Sequence, residues 1–140
     1  MEHCIVYFSS SVGQFQEEDL DTILQQSRRN NARLGVTGML LYVRGSIIQV
    51  LEGEKETIEA LYKRIEHDER HTNVSIGINR PIAQRLFADW SMGYETITTR
   101  QLEEIKAIVD VDNRQESEVD SQEPIIFKTL KVFYQGNRYN

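Results

Sequence analysis

The stretch TGMLLYVRGSIIQVLEG, residues 37–53, constrains this chain more than any other part of it. Two β-rich runs flank Arg44-Gly45, a pair suited to a tight turn, so the segment is predicted to be a hairpin. The second run is apolar on both sides. Ile47 and Leu51 share one face, Ile48 and Val50 the other. A strand apolar on both faces belongs inside a sheet that is covered on both sides.

The rest of the chain supplies the covering elements. HCIVYFSS (3–10) is a predicted strand, followed by a loop, SVGQFQ. Residues 17–35 have acids early, arginines later and Gly35 at the end, the charge order that suits a helix dipole. Leu20, Leu24, Ser27 and Asn31 fall on one side of that helix, with Ile23 beside them. Residues 54–70 form the clearest helix, with Ile58, Leu61, Tyr62 and Ile65 at i, i+3, i+4 and i+7. NVSIGINRPI (73–82) is a strand stopped by Pro81, and FADWSMGYETI (87–97) holds a weaker one. A short helix is predicted over 99–109, then an acidic loop over 110–123. A last helix is predicted over 124–136, with Pro124 in its first turn and Gly136 at its end.

This order predicts an α+β fold: a ferredoxin-like βαββαβ sandwich, with an extra strand and C-terminal helices covering the second sheet face. Residues 1–97 are expected to form the core and 98–140 a helical extension that includes the acidic loop. In such a fold the first and third strands lie side by side, and both crossover helices pack on one face.

At 140 residues the chain is one domain, or one with a small appendage. A net charge of −6 argues against a nucleic-acid or anionic-membrane partner. The single cysteine, Cys4, forms no internal disulfide, and no apolar run is long enough to span a bilayer. The N-terminus enters a strand pattern at once, so no signal peptide is expected, and the chain is predicted to be cytoplasmic.

Gln49 interrupts the most apolar strand. Burying its amide without partners would cost roughly 2–7 kcal/mol. If the first and third strands are neighbours, Tyr7 faces the same space, and phenol and amide satisfy each other in part. The amide keeps spare capacity, which a buried ligand with polar edges would take. Asn31, with Asn30 beside it, is placed to present a donor and an acceptor to such a group, and the small Ser27 leaves room for it. On the second helix Arg64 and Asp68 are four apart and flank the apolar stripe, either as a surface ion pair or reaching over the groove between the helices.

Each of these residues also has an ordinary explanation. Tyr7 is core or edge, Gln49 bonds backbone, the asparagines cap a helix, and Trp90 and Met92 are core packing. Spacing alone therefore stops at a small α/β domain with a polar groove between helix and sheet.

The motifs together resemble one family. IVYFSS (5–10), SRRNNARLGVTGMLLY (27–42), QVLEGE (49–54), YKRIEHDERH (62–71) and WSM (90–92) occur in the order found in the BLUF domain, a blue-light sensor that binds FAD. They cover roughly the first two-thirds of the chain. The resemblance implies a flavin ring between the two crossover helices and above the sheet. It makes Tyr7 the photoactive tyrosine and Gln49 the essential glutamine, bonded to Tyr7 and to the flavin N5/O4 edge. It assigns flavin binding to Asn30, Asn31, Gln49, Arg64, Asp68, Arg70 and His71, and signal output to Trp90 and Met92. No metal is implied. Tyr7 rather than Phe8 keeps the spacing to Ser9 and the alternation of faces.

The function expected from the resemblance is photoreception without enzymatic turnover. Light drives electron and proton transfer among tyrosine, glutamine and flavin. The rearranged hydrogen bonds then signal by self-association or to a separate protein, since no catalytic output domain is expected in the chain. Two other readings stand beside it. One is a dark flavin-binding interaction module, against which the retained Tyr7 and Gln49 count. The other is an acylphosphatase-like hydrolase, against which SSSVGQF counts because it lacks an arginine-bearing phosphate loop.

Overall fold

The structure is a computed structural model that describes residues 2–11, 17–85, 87 and 92–115, with the backbone alone for 17, 93–96 and 110–115. The elements are β1 (Glu2–Ser11), α1 (Glu17–Leu34), β2 (Thr37–Val43), β3 (Ser46–Glu54), α2 (Lys55–Glu66), β4 (His71–Pro81), β5 (Gly93–Thr96) and α3 (Thr99–Gln115). One five-stranded sheet has the order β4-β1-β3-β2-β5. The first four strands pair antiparallel, and β5 adds parallel to β2. This is the α+β, ferredoxin-like architecture with an extra strand. β3, the strand apolar on both faces, lies in the middle of the sheet.

Local chemistry sets the turns. Arg44 and Gly45 both have positive φ, 43° and 86°, as a two-residue primed hairpin turn requires. The turn closes the Val43↔Ser46 pair and so sets the register of β2 against β3. Gly35, at φ 71°, ends α1, and the Val36 N–H donates to the Asn31 carbonyl at 2.8 Å. That six-to-one bond is the Schellman geometry, and glycine adopts its left-handed residue without strain. Thr98 and Gln101 cap the start of α3 reciprocally, each side chain accepting the other residue's N–H at 3.1 and 2.9 Å.

The two faces of the sheet are packed by different helices. On one face Leu20 and Leu24 of α1 and Ile58, Leu61 and Tyr62 of α2 pack on Ile5, Tyr7, Ile47 and Leu51. On the other, Leu102, Ile105 and Val109 of α3 pack on Cys4, Val6, Ile48 and Val50. Ile58 and Ile105 are wholly buried. A buried side chain of this size contributes ~1.5–3 kcal/mol relative to exposure. The second face is therefore covered by a C-terminal helix, as its apolar pattern requires.

The acidic stretch begins later than its composition implies. Residues 110–115, expected as loop, continue α3 to Gln115. The packed turns through Val109 have already nucleated the helix, and extending it needs no apolar residue. The rest of the expected loop, 116–123, and the helix expected over 124–136 lie outside the described residues.

Candidate functional site: a cleft between two helices and the sheet

β1 and β3 are antiparallel neighbours with Tyr7 directly opposite Gln49. In a strand pair such side chains stand together on one face. The Tyr7 hydroxyl donates to Gln49 Oε1. Gln49 Nε2 lies 3.5 Å from Met92 Sδ and donates to it. All three side chains are at least 95 % buried, so each contact is made without competing water. An edge-on contact with Tyr62, 5.6 Å between ring centroids, holds the Tyr7 ring from the α2 side.

Burial pushes the Tyr7 phenol well above its ordinary pKa, and the nearby Tyr62 and Asp68 push it the same way. Tyr7 is thus a neutral phenol at physiological pH, able to donate or accept, and here its O–H donates to the amide oxygen. This places the Gln49 carbonyl towards Tyr7 and its NH₂ towards Met92. One N–H and one carbonyl lone pair of the amide remain to be used.

Tyr7 and Gln49 form part of the floor of a cleft of about 220 Å³. Leu40, Ile47 and Leu51 complete the floor; Leu20, Ile23, Ser27, Asn30 and Asn31 form the α1 wall. Leu61, Arg64 and Ile65 form the α2 wall. Asn31 is buried, with its amide at the cleft, whereas the adjacent Asn30 is half-buried and accepts a long bond from Arg33 at 3.5 Å. The cap that ends α1 at Gly35 keeps Asn31 in its last turns and facing inward.

Polar groups ring the solvent end. Arg70 grips Asp68 through Nε at 3.0 Å to both carboxylate oxygens, and the Arg70 N–H donates to Oδ1 at 2.9 Å. Arg70 Nη1 also reaches Gln26 Oε1 of α1 at 3.0 Å, which ties the two walls together. The hydrogen bonds from Arg70 hold the Asp68 carboxyl below its usual pKa, and Asp68 raises that of Arg70. His71 accepts from the Ser9 hydroxyl at 3.0 Å through Nδ1 and donates through Nε2 to the Ile65 carbonyl.

The structure brings together most of the residues singled out from sequence. Tyr7, Asn30, Asn31, Gln49, Arg64, Asp68, Arg70 and His71 all line the cleft. Met92 touches Gln49, and Trp90 lies outside the described residues. An Arg64–Asp68 ion pair is not formed. α2 stops at Glu66, so Asp68 is beyond the helix and its partner is Arg70. Gln26, the third member of that clamp, carried no signal in the sequence, because its role depends on a loop 44 residues away.

The site tests well against a flat heterocycle with polar edges. Two buried amides, Asn31 and Gln49, line an apolar slot, and Gln49 has unused donor and acceptor capacity. The volume is small beside the roughly 300–1,000 Å³ of ligand sites in general. It suits one ring system, with the remainder of a longer ligand outside the slot, near Arg64 and Arg70. Among the described residues no group of three or more His, Cys, Asp or Glu side chains is placed to hold a metal ion.

Comparison with known proteins agrees with this geometry. The family described as "BLUF: Sensors of blue-light using FAD" matches residues 3–93. The photoactivated adenylate cyclase subunit beta of Euglena longa is 38% identical over 89 residues, 63% of this chain and 10% of that protein. The corresponding Euglena gracilis subunit is 35% identical over the same length. The solved dark-state structure of BlrB, a BLUF protein, superposes with a TM-score of 0.68 at 26% identity, covering 94% of this chain and 96% of that one. A bacterial light-regulated adenylyl cyclase gives 0.67 at 30% identity, covering 97% of this chain and 40% of that one.

Fold and cleft define a small flavin-binding sensor domain. The chain belongs to the BLUF family of blue-light sensors that use flavin. It spans about a tenth of the length of the curated relatives it matches.

Proposed function

We propose that this chain is a blue-light photoreceptor holding FAD non-covalently in the cleft between α1 and α2, and that Tyr7 and Gln49 carry its photochemistry. The observation that carries the reading is the continuous buried contact from Tyr7 through Gln49 to Met92. Asn31 and Gln49 hold the polar edges of the ring, with Asn30 beside them, and Arg64, Asp68, Arg70 and His71 close its open end. FAD is supported by the family description, while the cations at the mouth suit the phosphates of FAD and FMN alike. One similar structure, Klebsiella pneumoniae BlrP1, contains FMN. The two cofactors therefore have to be distinguished chemically.

A bound flavin supplies the blue-absorbing chromophore and, when excited, an electron acceptor. Tyr7 is the electron donor: it is the one phenol among the described residues lining the cleft. It yields an electron and its phenolic proton, and recovers both on recombination, so no net oxidation results. Gln49 relays the proton and is left rotated or tautomerised. An amide suits this because its two ends differ, and exchanging them reverses donor and acceptor without moving β3. The N–H now aimed into the cleft stabilises the excited chromophore and shifts its band to the red. The same exchange removes the donor that faced Met92, which passes the change towards β5.

The chain is read as a sensor without turnover of its own, signalling to a separate protein or a second copy. The cyclase activity in the names of its relatives belongs to proteins of which the match covers only 10%. A cytoplasmic setting is consistent with Cys4 being a free, buried thiol.

The test is the absorption spectrum of the purified protein before and after blue light, with mass analysis of the extracted cofactor. A yellow protein carrying FAD and showing a reversible red shift is the expected result. A colourless protein that fails to take up added FAD refutes the reading.

A further inference from the structure

The connection between β4 and β5 is held at two points by one strand. At Met92 the grip is the Gln49 amide. At Phe87 it is Glu52, three residues further along β3 and on the opposite face. Glu52 is wholly buried, and its Oε1 accepts from the Phe87 N–H at 3.0 Å and from the Thr37 hydroxyl at 3.0 Å. Thr37 stands opposite Glu52 on β2, so the carboxylate is fixed by the sheet before it reaches the connection. The Phe87 side chain is wholly buried in the core beneath α3, whereas Met92 is buried in the core beneath α1 and α2. A third contact, Arg28 Nε to the Met92 carbonyl at 3.0 Å, joins the Met92 end to α1.

We propose that Glu52 is a positioning residue for light output. It is the fixed end against which the Gln49–Met92 contact moves the connection. The proposal rests on the photochemical reading of Gln49. Its physical basis is mechanical. The Thr37 and Phe87 contacts of Glu52 join oxygen to neutral donors that the photochemistry does not touch, whereas the Gln49 contact changes when its amide ends exchange. With Phe87 pinned, displacement at Met92 is taken up at Gly93, where β5 begins, and reaches α3 through the short link after Thr96. With Phe87 released, the connection absorbs the displacement and β5 stays as it was.

Two variants separate this role from general support. Glu52→Gln retains Oε1, which makes both described contacts, and replaces Oε2 with an NH₂ group. Glu52→Met keeps the length and removes the acceptor. Both are compared with the wild type, each holding flavin, by the light-minus-dark spectrum and by hydrogen exchange of residues 93–99 in dark and light. The wild type and Glu52→Gln are expected to show the red shift together with a light-induced change in exchange over 93–99. Glu52→Met is expected to keep the red shift and lose the exchange change. In the wild type the Phe87 amide is expected to stay protected in both states, a readout that holds even if Glu52→Met does not fold. A light-dependent Phe87 amide, a wild-type response in Glu52→Met, or loss of the response in Glu52→Gln overturns the proposal. Absence of a red shift in the wild type instead overturns the photochemical reading, so the two failures are distinct.

Discussion

Tyr7→Phe, Gln49→Leu and the double variant form a thermodynamic cycle whose outcome follows from burial. Tyr7 is 2 % exposed and Gln49 5 %, and the phenol donates to the amide. Tyr7→Phe leaves a buried carbonyl short of a donor, and Gln49→Leu leaves a buried hydroxyl with no acceptor. Each single change should cost about 1–3 kcal/mol, the penalty for stranding a buried polar group. The double variant replaces both partners with apolar groups of similar shape, which is close to neutral for that pair. The double should therefore be less destabilised than the sum of the singles, by about 2–6 kcal/mol. For a domain of this size, 1 kcal/mol corresponds to roughly 2–8 °C in Tm. Urea unfolding followed by circular dichroism measures the cycle. Free flavin must be held at one concentration, because ligand bound to the native state adds its own stabilisation. The red shift should be absent from all three variants. Additivity within about 0.5 kcal/mol would show that the two groups do not share a buried bond. A wild-type red shift in Gln49→Leu would remove the amide from the mechanism.

Other perturbations test separate parts of the structure. Phe8→Tyr in the Tyr7→Phe background should not restore the red shift, since Phe8 packs on the α3 side of the sheet; difference spectra decide. Gly38→Ala should fail to fold or lose about 3 kcal/mol or more, because the added Cβ would lie 1.9 Å from the Val50 carbonyl oxygen, which is backbone and cannot yield; thermal melts measure it. Asp68 has a carboxyl pKa depressed by Arg70, so their contact stabilises the fold above the unfolded value near ~4 and is lost as pH falls through the lower, folded value. Arg70→Gln should flatten that acid-side loss in a pH series of melts; with the Arg70 side chain 47% exposed, the effect should be below about 1 kcal/mol.

The periodicities of the chain made most of the architecture readable. Alternation along 3–10 and 46–53 and helical spacing along 17–35 and 54–66 are properties of neighbouring residues, and they survive in the folded protein because one face of each element is buried. The same alternation placed Tyr7 and Gln49 on matching faces, and the strand order made them neighbours. Asn31 was readable as a groove residue because Gly35 marks where α1 ends. The helix over 110–115 was not readable, since DVDNRQ carries a single apolar residue and the packed turns lie before it.

The sequence by itself therefore determined the elements, their order and the floor of the cleft, all of which follow from local backbone geometry and one buried face. Tertiary structure decided which polar groups meet. Asp68 is four residues from Arg64, yet it pairs with Arg70, because α2 ends before it and the turn folds back. Glu52 looked like one more residue of a strand end, and only the fold brings the Phe87 amide to it across 35 positions. Arg28 reaches the Met92 carbonyl over 64. Such partners depend on register, on where a helix stops and on which strand a distant residue packs against. None of these is a property of the residues immediately around the side chain, so no local pattern in the sequence records them.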